Sequence, residues 1–535
     1  MGNVPRWTPS VELTKHEERV LARLGRVRKL LGFLRRRRHE LFDESFQVEL
    51  ESMYRLTGAG KDPIAPAQMA MGMLVQGYLG VSDAEFVELT VMDLRVQLVL
   101  GCFGVEEPPF AQGTYQQFRD RMIENDMDIR LLERTVELAK RTKELDPRNV
   151  PKSLRVAMDS SPLQGAGRVE DTINLLGHAG RKVAECAAEL LKWSVARLCK
   201  EAGAPLLMAS SVKAGLDIDW NDAAQKADAI NIVIGEIDSL KRFLERRLPE
   251  ELTRPPLEEH VETLDRIRTQ DLEPDPNGGG VRIREGVAPD RRISVEDREM
   301  RHGRKSKAKT FNGYKRHIAA DIDDGTILAC AVLPANRPEE EAAPMLQADI
   351  AKQGWAISEL HIDRGYINST SVDDVLAARG EVVSKPWHAP NGGLFEKADF
   401  KLNMRDRTLT CPVGQTETIQ LGASVEFDPE ICDHCPLRAD CTTAEPGHGR
   451  TVAISENEML QHRLRKLQKT SSGRERLRQR TQIEHQLAHI SQRQGNRARY
   501  KGARKNTFDV RRASCIQNLE GIDRREREEV LAKAA

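Results

Sequence analysis

The sequence predicts an α/β protein with a mixed sheet, and three observations support this fold class. Short apolar runs read as strands, and longer runs of helix-forming residues lie before and between them. Residues 323–326 read Asp-Asp-Gly-Thr, which is typical of a hairpin turn between two strands. A strand, a hairpin and then alternating helices and strands are typical of an α/β fold.

The predicted elements follow one another in a definite order. Residues 11–145 are predicted mostly helical, because apolar residues cluster as in Ala70–Val75 and β-branched runs are few. Residues 173–270 are again predicted helical, and the Pro- and Gly-rich segment 274–280 marks a break. The predicted strands are 154–164, 315–322, 327–333, 359–362 and 381–384, and the predicted helices are 184–198, 230–248, 338–352 and 371–379.

The composition favours a large globular protein. At 535 residues the chain is long enough for more than one domain, and 39% hydrophobic with 31% charged residues is a usual balance. No run of 18 apolar residues predicts a membrane span, and no apolar signal segment opens the chain, so we expect a cytoplasmic protein. Nine Cys in so long a chain do not form a secreted disulfide pattern. Only 4% of residues are aromatic, so a base-stacking surface is not the expected mode of binding.

Positive charge is concentrated in three segments although the formal net charge is zero. Residues 15–39 hold ten Lys and Arg against two Glu, and they include the run Arg35-Arg36-Arg37-Arg38. Residues 301–316 hold seven and no acid, and residues 461–512 hold sixteen against three acids. Such clusters are typical of surfaces that contact a phosphate backbone. The alternative is a solvated helix face balanced by acids elsewhere.

Three carboxylates are the strongest candidates for a reactive site. Asp159 and Asp363 each end a largely apolar strand, and Glu484 lies in a basic, helix-forming stretch. Carboxylate oxygens of this kind suit Mg²⁺ or Mn²⁺, and a pair of such ions can clamp the attacking and leaving oxygens of a phosphoryl transfer. Taken singly, an Asp at a strand end is more often a turn former or a helix cap. The prediction therefore depends on the order and surroundings of all three.

Those surroundings resemble the DDE transposases of bacterial insertion sequences from about Leu41 to Leu519. The motifs that carry the resemblance are Pro66-Ala67-Gln68-Met69, Gly80-Val81-Ser82-Asp83, Thr114-Tyr115-Gln116-Gln117-Phe118-Arg119, Val156-Ala157-Met158-Asp159-Ser160-Ser161-Pro162, Arg301-His302-Gly303-Arg304-Lys305-Ser306, Phe311-Asn312-Gly313-Tyr314-Lys315, Ile362-Asp363-Arg364-Gly365-Tyr366 and Gly495-Asn496-Arg497-Ala498-Arg499-Tyr500-Lys501-Gly502. In the helix around the Glu, Arg480 and Glu484 keep the family's spacing. Leu477 stands where the family has Tyr and Ser491 where it has Lys.

The resemblance implies an RNase H-like catalytic core in which the first and fourth strands lie side by side, with Asp159 next to Asp363. It also implies that Asp159, Asp363 and Glu484 hold the catalytic metal. The expected domains are a helical, DNA-binding N-terminal domain (11–150), a core in two parts (151–172 and 291–390), a helical insertion (173–290), a cysteine-rich segment (391–455) and a C-terminal region with the Glu helix and basic residues (456–520).

Four cysteines form a second candidate metal site. Cys432 and Cys435 have the C-x-x-C spacing with which two thiolates bind one tetrahedral Zn²⁺, and Cys411 and Cys441 lie nearby in the sequence. The run Cys411-Pro412-Val413-Gly414 also resembles the cysteine patch of related transposases. A set of reduced, unliganded thiols is the alternative reading. His434 and His448 are possible substitute ligands.

Six residues are candidates for contact with DNA: Arg480, Arg364, Tyr366, Lys315, Arg499 and Lys501. Arg480 precedes Glu484 by four residues, so the two share one helix face. It is predicted to bind phosphate, and the alternative is an ion pair within the helix. For Tyr366 the alternative is packing, and for Lys315, with Tyr314 and Arg316, it is a solvated strand edge.

These observations predict a metal-dependent DNA transposase that nicks a strand and joins the freed 3′-hydroxyl to target DNA. The expected partners are the element's ends and target DNA, bound by a homodimer or larger assembly at the nucleoid. Two alternatives stay open. One is a divalent-metal-dependent nuclease without strand transfer, and the other is a non-catalytic DNA-binding protein derived from a transposase.

Overall fold

The computed structural model describes residues 4–24, 29–54, 63–141, 153–209, 211–276, 278, 280–306, 308–387 and 391–534. No helix among these residues is long and apolar enough to cross a membrane. The predicted domain boundaries at residues 150 and 390 lie outside the described residues.

A six-stranded mixed sheet lies at the centre of the molecule. Its strands are β1 (Ser153–Gln164), β4 (Arg301–Arg304), β5 (Thr310–Asp321), β6 (Ile327–Pro334), β7 (Ala356–His361) and β8 (Glu381–Val383). The order is β4-β5-β1-β7-β8, and β6 pairs with β5 further along the same edge as β4. Strand β1 runs antiparallel to β5 and parallel to β7, which in turn runs parallel to β8.

This sheet confirms the predicted mixed α/β fold. All five predicted strands are present, and the predicted first and fourth strands, β1 and β7, are neighbours. The hairpin at 323–326 joins β5 to β6 as predicted, and β4 is an additional short strand. The topology is consistent with an RNase H-like core.

Both faces of the sheet are covered by other elements. Side chains of successive strand residues point to opposite sides, so each strand contributes to both faces. Val156 and Met158 pack on one face with α14 (Ala342–Lys352) and α15 (Thr370–Ala377). Ala157 packs on the other face, in a cluster that also contains the N-terminal helices. The helices predicted at 338–352 and 371–379 are therefore present, and a short 3₁₀ turn precedes the first of them.

The N-terminal region is helical, as predicted, and its core is shared with the end of the described chain. Its helices are α1 (Lys15–Arg23), α2 (Lys29–Leu41), α3 (Glu44–Glu51), α4 (Pro66–Leu79), α5 (Asp83–Met92), α6 (Leu94–Leu100), α7 (Gln112–Glu124) and α8 (Met127–Arg141). The 32-residue helix α21 (Ala503–Ala534) packs against α4, α8 and β6. A Cβ at Gly77 of α4 would lie 2.9 Å from Ile516 Cδ1, so glycine permits this close packing. The Asn518 amide donates to Thr135 of α8 and to the carbonyl of Ile327 in β6.

A second helical region is inserted between β1 and β4. It contains α9 (Thr172–Leu191), α10 (Val195–Ala202), α11 (Val212–Gly215), α12 (Ala223–Arg247), α13 (Leu257–Asp271) and the short pair β2 (Leu272–Pro274) and β3 (Val281–Ile283). The single helix predicted at 184–198 is wrong. Lys192 has a left-handed backbone (φ 56°) that ends α9, and Ser194 caps α10 by accepting from the amide of Arg197.

Small elements follow the central sheet. These are β9 (Lys401–Asn403), β10 (Thr408–Thr410), β11 (Thr416–Thr418), β12 (Ser424–Glu426), α16 (Pro429–Asp433), α17 (Arg438–Cys441) and β13 (Thr451–Ala453). Three helices then return to the sheet: α18 (Glu458–Lys469), α19 (Ser471–Gln479) and α20 (Thr481–Gln494).

Candidate active site

A cleft of about 580 Å³ opens between β1, the loop after β7 and α20. Its lining contains the three predicted carboxylates, Asp159, Asp363 and Glu484. The other lining residues are Ser160, Ser161, Pro162, Arg304, Lys305, Phe311, Lys315, Glu339, Arg480, Leu487, Ala488 and Ser491. Residues more than 300 positions apart in the sequence thus share one solvent-open surface.

Asp159 lies within β1 and is the most enclosed of the three acids. Its Oδ1 accepts a hydrogen bond from the Ser160 amide at 2.8 Å. Burial raises the pKa of Asp159 to about 6, although Arg480 and the Ser160 amide act in the opposite direction.

Asp363 lies at the edge of the cleft, two residues beyond the end of β7. It is exposed and precedes a single 3₁₀ turn, Arg364–Tyr366. The Tyr366 side chain is fully buried, and its hydroxyl lies 2.7 Å from Nδ1 of His317. Because β1 and β7 are parallel neighbours, Asp363 comes to the same end of the sheet as Asp159.

Glu484 is carried by α20, which is anchored on the sheet by an apolar stripe. Ile483, Leu487 and Ile490 are buried in the same cluster as the sheet residue Ala157, as the helical spacing predicts. Buried Arg316 of β5 donates to Gln494 at 2.7 Å, and to Ser491. These contacts leave Glu484 on the cleft side of the helix.

Arg480 connects two of the three acids. Its Nη1 lies 3.0 Å from Asp159 Oδ2, and its Nη2 lies 2.8 Å from Glu484 Oε1. The ion pair to Glu484, which was the alternative to the predicted phosphate contact, is thus present, together with a second ion pair to β1. One guanidinium group neutralises part of the negative charge of the cleft.

The structure places one of the other predicted DNA contacts in the cleft and the rest outside its lining. Lys315 lines the cleft, and its Nζ donates to the carbonyl of Arg337 at 2.9 Å. Arg364 is partly buried outside the cleft lining, and Tyr366 cannot contact DNA from its buried position. Arg499 is exposed but outside the cleft lining, and so is Lys501.

Two further residues near Lys315 do not fit the predicted phosphate contact. Tyr314 is fully buried and its hydroxyl donates to Asp297, while Arg316 is 1% exposed. The reason is that β5 is covered on both faces, so its alternating side chains have little access to solvent.

The basic N-terminal segment is also partly structural. Arg35 is 1% exposed and its Nε donates to Glu17 at 2.6 Å. Arg38 is 3% exposed and donates to the carbonyls of Leu98 and Val99. Of the other described cations of this segment, Arg37 is half-buried, and the exposed ones are Lys15, Arg19, Arg23, Lys29 and Arg36. Two of the ten cations of 15–39 therefore bond within the fold and are not available to DNA.

Glu339 is a fourth carboxylate in the cleft, and sequence reasoning missed it. Its Oε1 accepts from the Ser160 hydroxyl at 2.6 Å. The available signal was the run Glu339-Glu340-Glu341 directly after Pro338, which opens the helix following β6. An acidic first turn is so common at helix starts that this signal does not stand out.

The four predicted cysteines line one small cavity in the cysteine-rich segment. Cys411, Cys432, Cys435 and Cys441 share it with Phe395, Phe427 and neighbouring apolar residues. All four are partly exposed free thiols. Burial raises the pKa of the Cys441 thiol, and so does the charge of the other three.

Neither group of donors has a complete metal geometry. In the described part of the chain, no three His, Cys, Asp or Glu residues are grouped closely enough to hold an ion. In the cleft, the Arg480 guanidinium lies between two of the acids. The chemistry of the donors does fit: hard carboxylate oxygens suit Mg²⁺ or Mn²⁺, and thiolates suit Zn²⁺.

Comparison with known protein families gives two matches. Residues 410–522 match the family described as transposase DDE domain, and residues 26–121 match the transposase domain DUF772. No curated protein and no solved structure matches the chain. The first match contains Glu484 and the four cysteines, and the second covers most of the N-terminal helices.

Proposed function

We propose that the chain is a DDE transposase of the kind found in bacterial insertion sequences and that it cuts and joins DNA in the cleft. The observation that carries the proposal is that Asp159, Asp363 and Glu484, from three distant segments, line one open surface. The two family matches support a transposase function in general. The proposal adds strand cleavage, strand transfer and the residues responsible.

In this proposal Asp159, Asp363 and Glu484 hold Mg²⁺ or Mn²⁺. When bound, such ions activate an attacking oxygen and stabilise the leaving oxygen of an in-line displacement. Arg304, Lys305 and Lys315 line the same cleft and would attract the phosphate backbone. No residue of the chain needs to form a covalent bond to DNA.

The remaining parts of the chain receive supporting roles in the proposal. The N-terminal region 11–150 binds the element's ends, and a homodimer or larger assembly holds two of them together. The RNase H-like core comprises 151–172 and 291–390, the helical insertion 173–290, and the basic C-terminal region 456–520. The protein acts in the cytoplasm at the nucleoid.

The test uses full-length protein and a supercoiled plasmid that carries the DNA found on either side of the gene. Asp159→Ala, Asp363→Ala and Glu484→Ala should each reduce Mg²⁺-dependent nicking about a thousandfold. Loss of about 4 kcal/mol of metal-assisted stabilisation corresponds to that factor. The exposed residues Asp373 and Glu475 provide matched Ala controls, which should nick normally.

The outcome separates the three candidate functions. Nicking followed by joined products supports a transposase, and nicking alone indicates a nuclease. Binding of the plasmid without nicking in any divalent metal would indicate a non-catalytic DNA-binding protein. A single variant of the three that joins DNA at the wild-type rate removes its residue from the site.

We also propose that the four cysteines hold one structural Zn²⁺. The segment 391–455 has short strands, and its buried apolar cluster consists of Phe400, Leu409, Ile419, Phe427, Val452 and Ile454. A core this small is usually reinforced by a metal or by disulfides. Thiols that line one cavity fit the tetrahedral thiolate coordination of zinc.

Metal analysis of the purified, reduced protein tests this. One zinc per chain is expected, and Cys435→Ser should lose it and expose the segment to proteolysis, because structural zinc contributes directly to local folding. Cys186→Ala, in the helical insertion, should keep its zinc. A zinc-free wild-type protein that resists proteolysis in this segment would contradict the proposal.

A further inference from the structure

We propose that Tyr366 is a positioning residue for the reaction, because its buried hydroxyl ties the turn that begins at Asp363 to strand β5. The inference rests on the proposed function of the cleft and deepens it. The Tyr366 side chain is fully buried, so it touches no DNA. It acts through Asp363, whose place relative to Asp159 the hydroxyl fixes.

The anchor of Tyr366 is a histidine of the central sheet. The Tyr366 hydroxyl lies 2.7 Å from Nδ1 of His317, and the two rings meet edge to face. His317 is also fully buried, and in the pairing of β5 with β1 it lies opposite Ser160, the residue after Asp159. The hydroxyl therefore connects the turn after β7 to the sheet position beside Asp159.

The surroundings keep both partners of this hydrogen bond uncharged. Burial raises the pKa of Tyr366 well above its ordinary value, and the carboxylates of Glu339 and Asp159 act in the same direction. Burial also lowers the pKa of His317 to about 3, so the imidazole is neutral. The contact is therefore present at every pH near neutrality.

The polar character of the pair points to a role in orientation. Nε2 of His317 is buried and has no hydrogen-bond partner among the described residues. Two apolar side chains at these positions would avoid the cost of this unsatisfied atom. The polar pair adds direction, because a hydrogen bond fixes both the distance and the angle between its partners. The pair therefore holds the turn in one orientation against the sheet.

The segment between Asp363 and Tyr366 is short and closed on itself. The Tyr366 amide donates to the Asp363 carbonyl at 3.1 Å, which closes a single 3₁₀ turn. At Gly365 an added Cβ would overlap Oε2 of Glu339, so the turn is also confined from outside. Anchoring the Tyr366 side chain therefore fixes where Asp363 enters the cleft.

The first variant, Tyr366→Phe, removes the hydroxyl and keeps the ring. In metal-free, full-length protein, hydrogen exchange of the amides of residues 363–367 should become about threefold faster, because the turn loses its anchor. The Mg²⁺ concentration for half-maximal plasmid nicking should rise, and the maximal rate should fall about tenfold, because small displacements in a reactive site are costly. KM for the plasmid should stay unchanged, since the cations that line the cleft are intact.

The matched control is Tyr314→Phe. Tyr314 is also fully buried on β5, and its hydroxyl donates to buried Asp297, away from the cleft lining. This change should lower the melting temperature at least as much as Tyr366→Phe, because the Asp297 carboxylate loses that donor. Exchange at 363–367 and the Mg²⁺ dependence should stay at the wild-type values. A Tyr366→Phe protein that behaves like Tyr314→Phe would show a purely structural role and overturn the inference.

Two changes at His317 test the same contact from its other side. His317→Asn keeps a polar nitrogen near the place of Nδ1, whereas His317→Leu is apolar. The Asn variant should keep more of the exchange protection of 363–367, and equal protection in the two would contradict the proposal even if Tyr366→Phe fails to fold. A wild-type protein that does not nick refutes the proposed function. A wild-type protein that nicks, and that Tyr366→Phe matches in exchange and Mg²⁺ dependence, refutes this inference alone.

Discussion

The arginine run of α2 and the basic wall of the cleft carry similar charge and use it differently. In α2, Arg35 and Arg38 are buried and bonded to Glu17 and to backbone carbonyls. In the cleft, Arg304 and Lys305 are exposed on the hairpin between β4 and β5. The first group holds helices together, whereas the second faces the space that DNA would enter.

This difference teaches that a cluster of positive charge in a sequence does not by itself define a binding surface. Whether a cation is available for binding depends on whether acids and carbonyls from other elements bond to it. A buried cation costs free energy unless it is paired, so Arg35 and Glu17 stabilise the fold only together. An exposed cation keeps its counterions, and releasing them favours binding to DNA.

The substitution expected to have the largest effect on stability is Arg35→Ala. Removing one partner of a buried ion pair costs about 3–5 kcal/mol, so the free energy of unfolding in urea should fall by that amount. Arg36→Ala, at the exposed neighbour, should change it by less than about 0.5 kcal/mol. Equal effects of the two changes would show that the run does not stabilise the N-terminal helices.

The double change of Arg304 and Lys305 to Ala should give the reverse result. DNA binding should weaken, and the slope of log K against log salt should become shallower by about two, at about one per lost phosphate contact. The urea midpoint should stay at the wild-type value because both side chains are exposed. Lys200 and Arg246, exposed in the helical insertion, provide a control pair whose change to Ala should leave the slope as it is.

Arg480→Ala is expected to give the smallest effect, a decrease of about one in the salt slope with the fold retained. Its ion pair with Glu484 on the helix is worth only about 0.2–0.5 kcal/mol. Arg480→Lys should recover part of the binding but not the forked contact to phosphate. If Arg480→Ala changes neither cleavage nor slope, then Arg480 serves only as an ion-pair partner of the two acids.

Much of the fold follows from patterns that are local in the sequence. Apolar runs mark the strands, and turn residues mark the 323–326 hairpin. The spacing of Ile483, Leu487 and Ile490 marks the buried face of α20. The same spacing places Arg480 beside Glu484. The apolar runs that end at Asp159 and Asp363 also signalled these two acids, although β1 continues beyond Asp159 to Gln164.

The missed features depend on contacts between distant residues. Burial of Tyr366 and Arg316 follows from the covering of both sheet faces, which no local pattern records. The pair of Arg35 with Glu17 and the approach of Glu339 to Gly365 require the packed fold. Lys192 ends α9 with a left-handed backbone that usually belongs to glycine or asparagine, so the sequence offered no signal there.

The packing of α21 has a consequence for how the protein folds during its synthesis. The ribosome produces α4, α8 and β6 long before it produces Ile516 and Asn518, which complete their packing. Until α21 is made, the earlier elements expose the apolar face that α21 covers in the folded protein. Completion of this core therefore depends on residues made late, since Asn518 bonds to Thr135, 383 positions earlier in the sequence.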